Sequence, residues 1–293
     1  MDEPVVVGID GSHAADLALG WAADDAARRG RRLRIVHVRE PWAGERPLTA
    51  ASDHQTRTEQ DLAMLAVAAD RAHGRHAGLR VATALVTGGL IERLRSEAES
   101  ADTLVLGSRG LSAPAGLLMR AAGDLLAGRV HCPVVVVRSA ARSGRGEVVV
   151  GYDGSPGAEA ALAYALEQAR AREVRLRALY AEPVLALVTV SLGHEPAAHP
   201  RALPLTERTL AERLAPWRQS YPEVEITESL AAGHPLPALA RASRRAALVV
   251  VGCRGLHGLA SVLPGSVSRG VLRRVDGPVA VVAAPASNER TAS

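Results

Sequence analysis

Short, unbroken apolar runs punctuate this chain, and most are bounded by glycine, proline or aspartate. Val5–Ile9, Pro133–Val137, Val148–Tyr152 and Pro278–Val282 show no polar alternation. Runs of this kind predict strands covered on both faces, as in a parallel sheet flanked by helices. Between them lie segments with helical spacing. After the turn Asp10-Gly11-Ser12, Ala15, Leu19, Ala22 and Ala26 recur every three or four positions, with Ser12 placed to cap the helix.

The first half reads as strand Val5–Ile9, helix, strand Arg34–Val38, a long Ala-rich helix Ser52–His76 and strand Leu79–Val86. Helix Leu90–Ser100, strand Asp102–Leu106, a helix within Leu111–Arg129 and strand Pro133–Val137 complete it. The second half predicts Val148–Tyr152, a helix from Pro156, strand Leu176–Ala181, a helix around Thr206–Tyr221 and strand Val224–Leu230. Helix Leu236–Arg244, strand Ala247–Val251, a loop and helix through Arg274, and strand Pro278–Val282 follow. Strands alternating with helices predict βαβ units and a doubly wound α/β sheet.

The two halves are copies of one another. VVVGIDGS at Val5–Ser12 returns as VVVGYDGS at Val148–Ser155, 143 residues on, and VLGSRG at Val105–Gly110 returns as VVGCRG at Val250–Gly255, 145 residues on. A period of this length is a whole domain. We therefore expect two tandem domains, 1–140 and 146–285, joined by the Arg/Ser/Gly linker Ser139–Gly146. The main departure between copies is Glu182–Leu205, rich in Pro and His, which reads as a surface excursion placed to lie over a cleft.

Composition narrows the function. All 35 basic residues are arginine, the formal charge is +4, and aromatic residues make up 2% of the chain. The arginines are scattered and lack interleaved aromatics, which argues against nucleic-acid binding. Two cysteines, Cys132 and Cys253, cannot build a disulfide framework or a Cys-based zinc site. His194 and His199 lack close metal-ligand spacing, so no metal site is expected. No apolar run reaches the ~20 residues that span a bilayer, and the acidic N-terminus enters a strand at once. The expectation is a cytoplasmic protein.

The candidate chemistry lies at the carboxyl ends of the strands, where open parallel sheets bind ligands at the point of order reversal. Each copy places an Asp-Gly-Ser turn after its first strand and a Gly-x-x-Gly after its fourth. In copy two Gly252-Cys253-Arg254-Gly255 is followed, after nine residues, by Gly265-Ser266-Val267-Ser268. Glycines allow close backbone approach, and a helix opening at Gly265-Ser266 presents unpaired amides to an anion. Together these features form a phosphate cradle that needs no lysine.

On these motifs the chain resembles the universal stress protein family in its tandem form, over roughly Pro4–Val137 and Glu147–Val282. The resemblance implies flavodoxin-like domains, each a five-stranded parallel sheet of order 3-2-1-4-5, and ATP, with Mg2+ as its companion ion, in the switch-point crevice of some members. Carried over, it implies that Asp153 sits near ribose and phosphates and that Tyr152 and Ala181 border the adenine. It also implies that Gly252 and Gly255 lie under the ribose and phosphates, while Gly265, Ser266, Val267 and Ser268 hold the phosphates.

Copy one retains Gly8, Ile9, Asp10, Val38, Gly107 and Gly110, but has Arg120-Ala121-Ala122-Gly123 where copy two has Gly-Ser-x-Ser. Two hydroxyls are lost there, and Arg120 stands where backbone must approach phosphate. Nucleotide is therefore expected mainly in the second domain, and more weakly, if at all, in the first. Arg109 and Arg254 sit inside the matching loops as solvated or phosphate-facing residues.

No catalytic set is evident, so the expected role is an ATP-responsive stress regulator with at most weak ATP hydrolysis. The competing expectation is a scaffold with a decayed pocket. Homodimerisation through the edge strands and an unidentified protein partner belong to both readings. His13 stands alone in its loop, which disfavours nucleotidyl transfer, and Gly8-Ile9-Asp10-Gly11 lacks the third glycine of a dinucleotide fingerprint.

Overall fold

The apolar runs form strands of parallel sheets. The computed structural model describes residues 3–40, 50–108, 122–138, 146–182, 207–253, 266–275 and 277–284. The chain divides into two units, Met1–Ala140 and Ala141–Ser293.

In the first unit β1 (Val5–Ile9), β2 (Leu33–Arg39), β3 (Val81–Thr87), β4 (Thr103–Gly107) and β5 (Val134–Val137) alternate with α1 (His13–Arg28), α2 (Ala50–Arg75) and α3 (Leu90–Ala98). Residues 122–126 add a helical turn before β5. All pairings among these strands are parallel, in the order β3-β2-β1-β4-β5. Every residue of β1, β4 and β5 is buried, which requires cover on both faces and explains why these strands lack alternation. At the edge, β3 leaves Ala82, Thr83 and Thr87 exposed.

The second unit repeats this plan. It contains β6 (Glu147–Gly151), α4 (Pro156–Arg172), β7 (Leu176–Glu182), α5 (Glu207–Ser220), β8 (Ile226–Ala232), α6 (Pro235–Ser243), β9 (Ala246–Cys253), α7 (Ser266–Arg274) and β10 (Val279–Ala283). Its parallel pairings give β8-β7-β6-β9-β10, the same 3-2-1-4-5 arrangement. Both units are thus flavodoxin-like, and in each the order reverses between the first and fourth strands. Observed elements lie within about two residues of the sequence-based ranges. The Ala-rich helix starts at Ala50 and the third strand at Val81. The excursion 183–206 lies outside the described residues.

Ion pairs anchor helices to the sheet. In the first unit Arg29 at the end of α1 reaches Asp102, just before β4, at 2.5 and 2.8 Å, and Asp25 at 3.3 Å. In the second unit the same places on the helix hold Gln168 and Arg172, a neutral–cation pair.

Candidate functional site

The turn after the first strand is built identically in both units. Asp10 Oδ1 accepts from the Ser12 backbone N–H at 3.0 Å, and Asp153 Oδ1 accepts from that of Ser155 at 3.0 Å. The intervening Gly11 and Gly154 have φ of 76° and 74°, the left-handed region that glycine enters without a Cβ clash. Ser12 and Ser155 then cap their helices, each hydroxyl accepting from a backbone N–H three residues on at 3.2 Å. Each aspartate thus spends one oxygen on the turn. Asp153 is exposed and Asp10 half-buried.

The second strand supplies the opposite wall. The ladder from β6 to β7 ends at the pair Gly151–Leu179, with the Tyr152 N–H donating to the Leu179 carbonyl at 3.0 Å. Parallel strands direct both backbone groups of alternate residues to the same neighbour. Leu179 faces β6, so Ala181 does too, and its N–H and C=O project past the last rung beside Tyr152 and Asp153. The first unit differs here: its ladder continues to Ile9–His37. His37 Nδ1 lies 2.9 Å from the Ile9 carbonyl and its Nε2 3.5 Å from Asp61, which also pairs with Arg39 at 2.6 Å. In the second unit Tyr180 stands where the first has His37. The wall containing Val38 is therefore laced by His37, Asp61 and Arg39.

Gly107 and Gly252 end the fourth strands. A Cβ on Gly252 would stand 2.2 Å from the Gly157 carbonyl oxygen, and one on Gly107 would stand 2.6 Å from that of Ala14. The first glycine of each Gly-x-x-Gly therefore lets the first turn of a helix lie against the strand end, whatever else it contacts. In the first turn of α7, Val267 is half-buried and Ser268 buried; Ser266 begins that helix. Gly110, Arg120, Gly255 and Gly265, with Arg109 and Arg254, lie outside the described residues.

Tyr152 departs from a simple lining role. Its ring is 2% exposed, and its hydroxyl donates to Glu159 of α4, whose other oxygen accepts from Trp217 Nε1 of α5 at 3.3 Å. Burial, and then the adjacent Glu159 carboxylate, hold the phenol well above its ordinary range. Any contact from Tyr152 to a ligand must come from its backbone. Arg213 of α5, which motif reading missed, places its guanidinium over this turn, with Nη1 3.4 Å from the Gly154 carbonyl. The signal would have been an arginine about sixty residues after the Asp-Gly-Ser turn, which no local motif marks.

Cys253 follows Gly252, and burial pushes its thiol up to about 11; burial takes Cys132 up to about 12. Both are buried. At pH 8 their thiolate fractions are roughly one in a thousand and one in ten thousand. A colorimetric thiol reagent at pH 8 should label the native protein at least ~100-fold more slowly than the denatured chain. Fast labelling of either cysteine would contradict this packing. Among the described residues no cluster of His, Cys, Asp or Glu could hold a metal ion, and no helix is long and apolar enough to cross a membrane.

Comparisons with known proteins agree with this architecture. The universal stress protein family profile matches residues 1–138 and 145–283. One universal stress protein of Mycobacterium tuberculosis is 35% identical over 286 residues, covering 94% of this chain and 96% of its own. A second from that organism is 33% identical over 298 residues, covering 94% and 95%. The crystal structure of a universal stress protein from Archaeoglobus fulgidus superposes with a TM-score of 0.71 at 18% identity, covering 97% of this chain and all of its own.

Proposed function

The chain belongs to the universal stress protein family, and from that premise we propose that it is an ATP-binding regulator of the stress response whose nucleotide sits in the second unit. One observation carries this reading: the β6–β7 ladder stops at Gly151–Leu179, two residues short of Ala181, at the end of the sheet where the Asp153 turn begins. That end of the sheet would take an adenine edge and a ribose. Ala181 would pair with the base through its main chain, and Asp153 would accept from a ribose hydroxyl.

The phosphates would then fall to Gly255, Gly265, Ser266, Val267 and Ser268, with Gly252 and its neighbours as the floor. Amides at the start of α7 have no partner within the helix and favour an anion. Magnesium, when present, would offset phosphate charge. The first unit, with Arg120 in its loop and the His37–Asp61–Arg39 lacing at its wall, is proposed as a weak site at most.

A nucleotide can switch the protein only if it binds two states of the chain unequally. Hydrolysis is proposed to be slow or absent. We test the reading by thermal unfolding with and without Mg-ATP. At a hundredfold excess over Kd, occupancy adds about 2.7 kcal/mol of stability. An unchanged melting temperature with every adenine nucleotide would favour a dimeric scaffold with a decayed pocket.

A further inference from the structure

We propose that Arg213 contributes a phosphate contact to the crevice of the second unit, making the site selective for polyphosphate-bearing ligands over bare nucleosides. This rests on the nucleotide reading and adds a cation that the motif itself lacks. The guanidinium is already stationed at the strand end. Its Nη1 lies 3.4 Å from the Gly154 carbonyl, and a Cβ added to Gly154 would meet it at 3.0 Å. That carbonyl is a neutral partner.

The nearby carboxylates are occupied elsewhere. Glu159 is held between Tyr152 and Trp217, and Asp153 gives one oxygen to its own turn. Other arginines on α5 have found anions: Arg208 pairs with Glu212 at 3.0 Å and Arg218 with Glu228 at 2.5 Å. Among the described residues no carboxylate forms an ion pair with Arg213. An exposed guanidinium held by one neutral carbonyl keeps donors available for a charged ligand. The first unit fills the same space with an apolar atom, since a Cβ on Gly11 would meet the Met64 sulfur at 3.0 Å. The cation is specific to the half with the complete phosphate motif.

The test titrates the full chain with Mg-ATP, inorganic tripolyphosphate and adenosine, using native protein, Arg213→Met and Arg213→Lys. Losing a charge-assisted contact should weaken ATP and tripolyphosphate by ~10-fold or more and leave adenosine unchanged. The salt dependence of ATP binding should flatten in Arg213→Met, and Arg213→Lys should recover most of the lost affinity. Arg213 is exposed, and unfolding of the variant at the native temperature confirms that its fold is retained. Equal ATP affinity in native protein and Arg213→Met overturns the role of Arg213 and leaves the nucleotide reading intact. Arg213-dependent binding of tripolyphosphate without any binding of ATP or adenosine would retain Arg213 and overturn the nucleotide reading. Binding of none of the three ligands would overturn both.

Discussion

Gly252→Ala is expected to destabilise the second unit by about 3 kcal/mol or more, an overpacking cost at the upper end of the usual range. The added methyl would fall 2.2 Å from the Gly157 carbonyl oxygen, 2.3 Å from its carbon and 2.8 Å from the Ala158 nitrogen. All three are backbone atoms at the start of α4, so no rotamer change can relieve the clash. The helix must lift from β9, or the strand end must move. Either shift disturbs the Asp153 turn that the same helix follows. For a unit of this size the melting temperature should fall by about 10 °C. A calorimetric scan of the variant checks it, and a fall of under about 3 °C would mean that the strand and helix are not in this contact. Gly107→Ala should act likewise in the first unit, where the methyl would meet Ala14 and Ala15 backbone at 2.6–2.9 Å.

Arg29→Ala should cost the first unit about 3–5 kcal/mol, because it removes a guanidinium that two buried carboxylates share. The Asp25 side chain is fully buried, Arg29 is 8% exposed and Asp102 10%. Arg31 at 3.4 Å and the Thr103 hydroxyl at 2.9 Å also hold Asp102. The second unit supplies the internal control. There Gln168 replaces the buried aspartate, so Arg172→Ala removes a hydrogen bond to a neutral amide, at a cost of about 1–2 kcal/mol. Urea unfolding of both variants compares the two. Equal losses would contradict the assigned charge balance.

The elements that were legible in the sequence are those governed by a single local constraint. Val5–Ile9 and Val148–Val150 carry no polar position because both faces are covered, and that alone identified central parallel strands. Asp-x-Ser around a left-handed glycine is a self-contained turn, so Asp10-Gly11-Ser12 and Asp153-Gly154-Ser155 could be read directly, caps included.

What could not be read depends on partners distant in the chain. Gly252 suggested a ligand, but its nearest demand comes from Gly157, about a hundred residues earlier in the chain, at the start of a packed helix. Tyr152 suggested an adenine wall. Its direction is set instead by Glu159 and by Trp217 on α5, and a residue at a strand end can turn either way. Arg213 has no motif because its place over Gly154 follows from how α5 packs. The difference between Gly265-Ser266 and Arg120-Ala121 was legible because the repeat provides its own comparison.

The most direct measurement is calorimetric titration of Mg-ATP into the native chain, Gly265→Arg and Gly110→Arg. Binding of one nucleotide per chain that Gly265→Arg abolishes and Gly110→Arg leaves intact is the predicted result. Binding that survives Gly265→Arg but disappears in Gly110→Arg would place the nucleotide in the first unit and contradict the assignment.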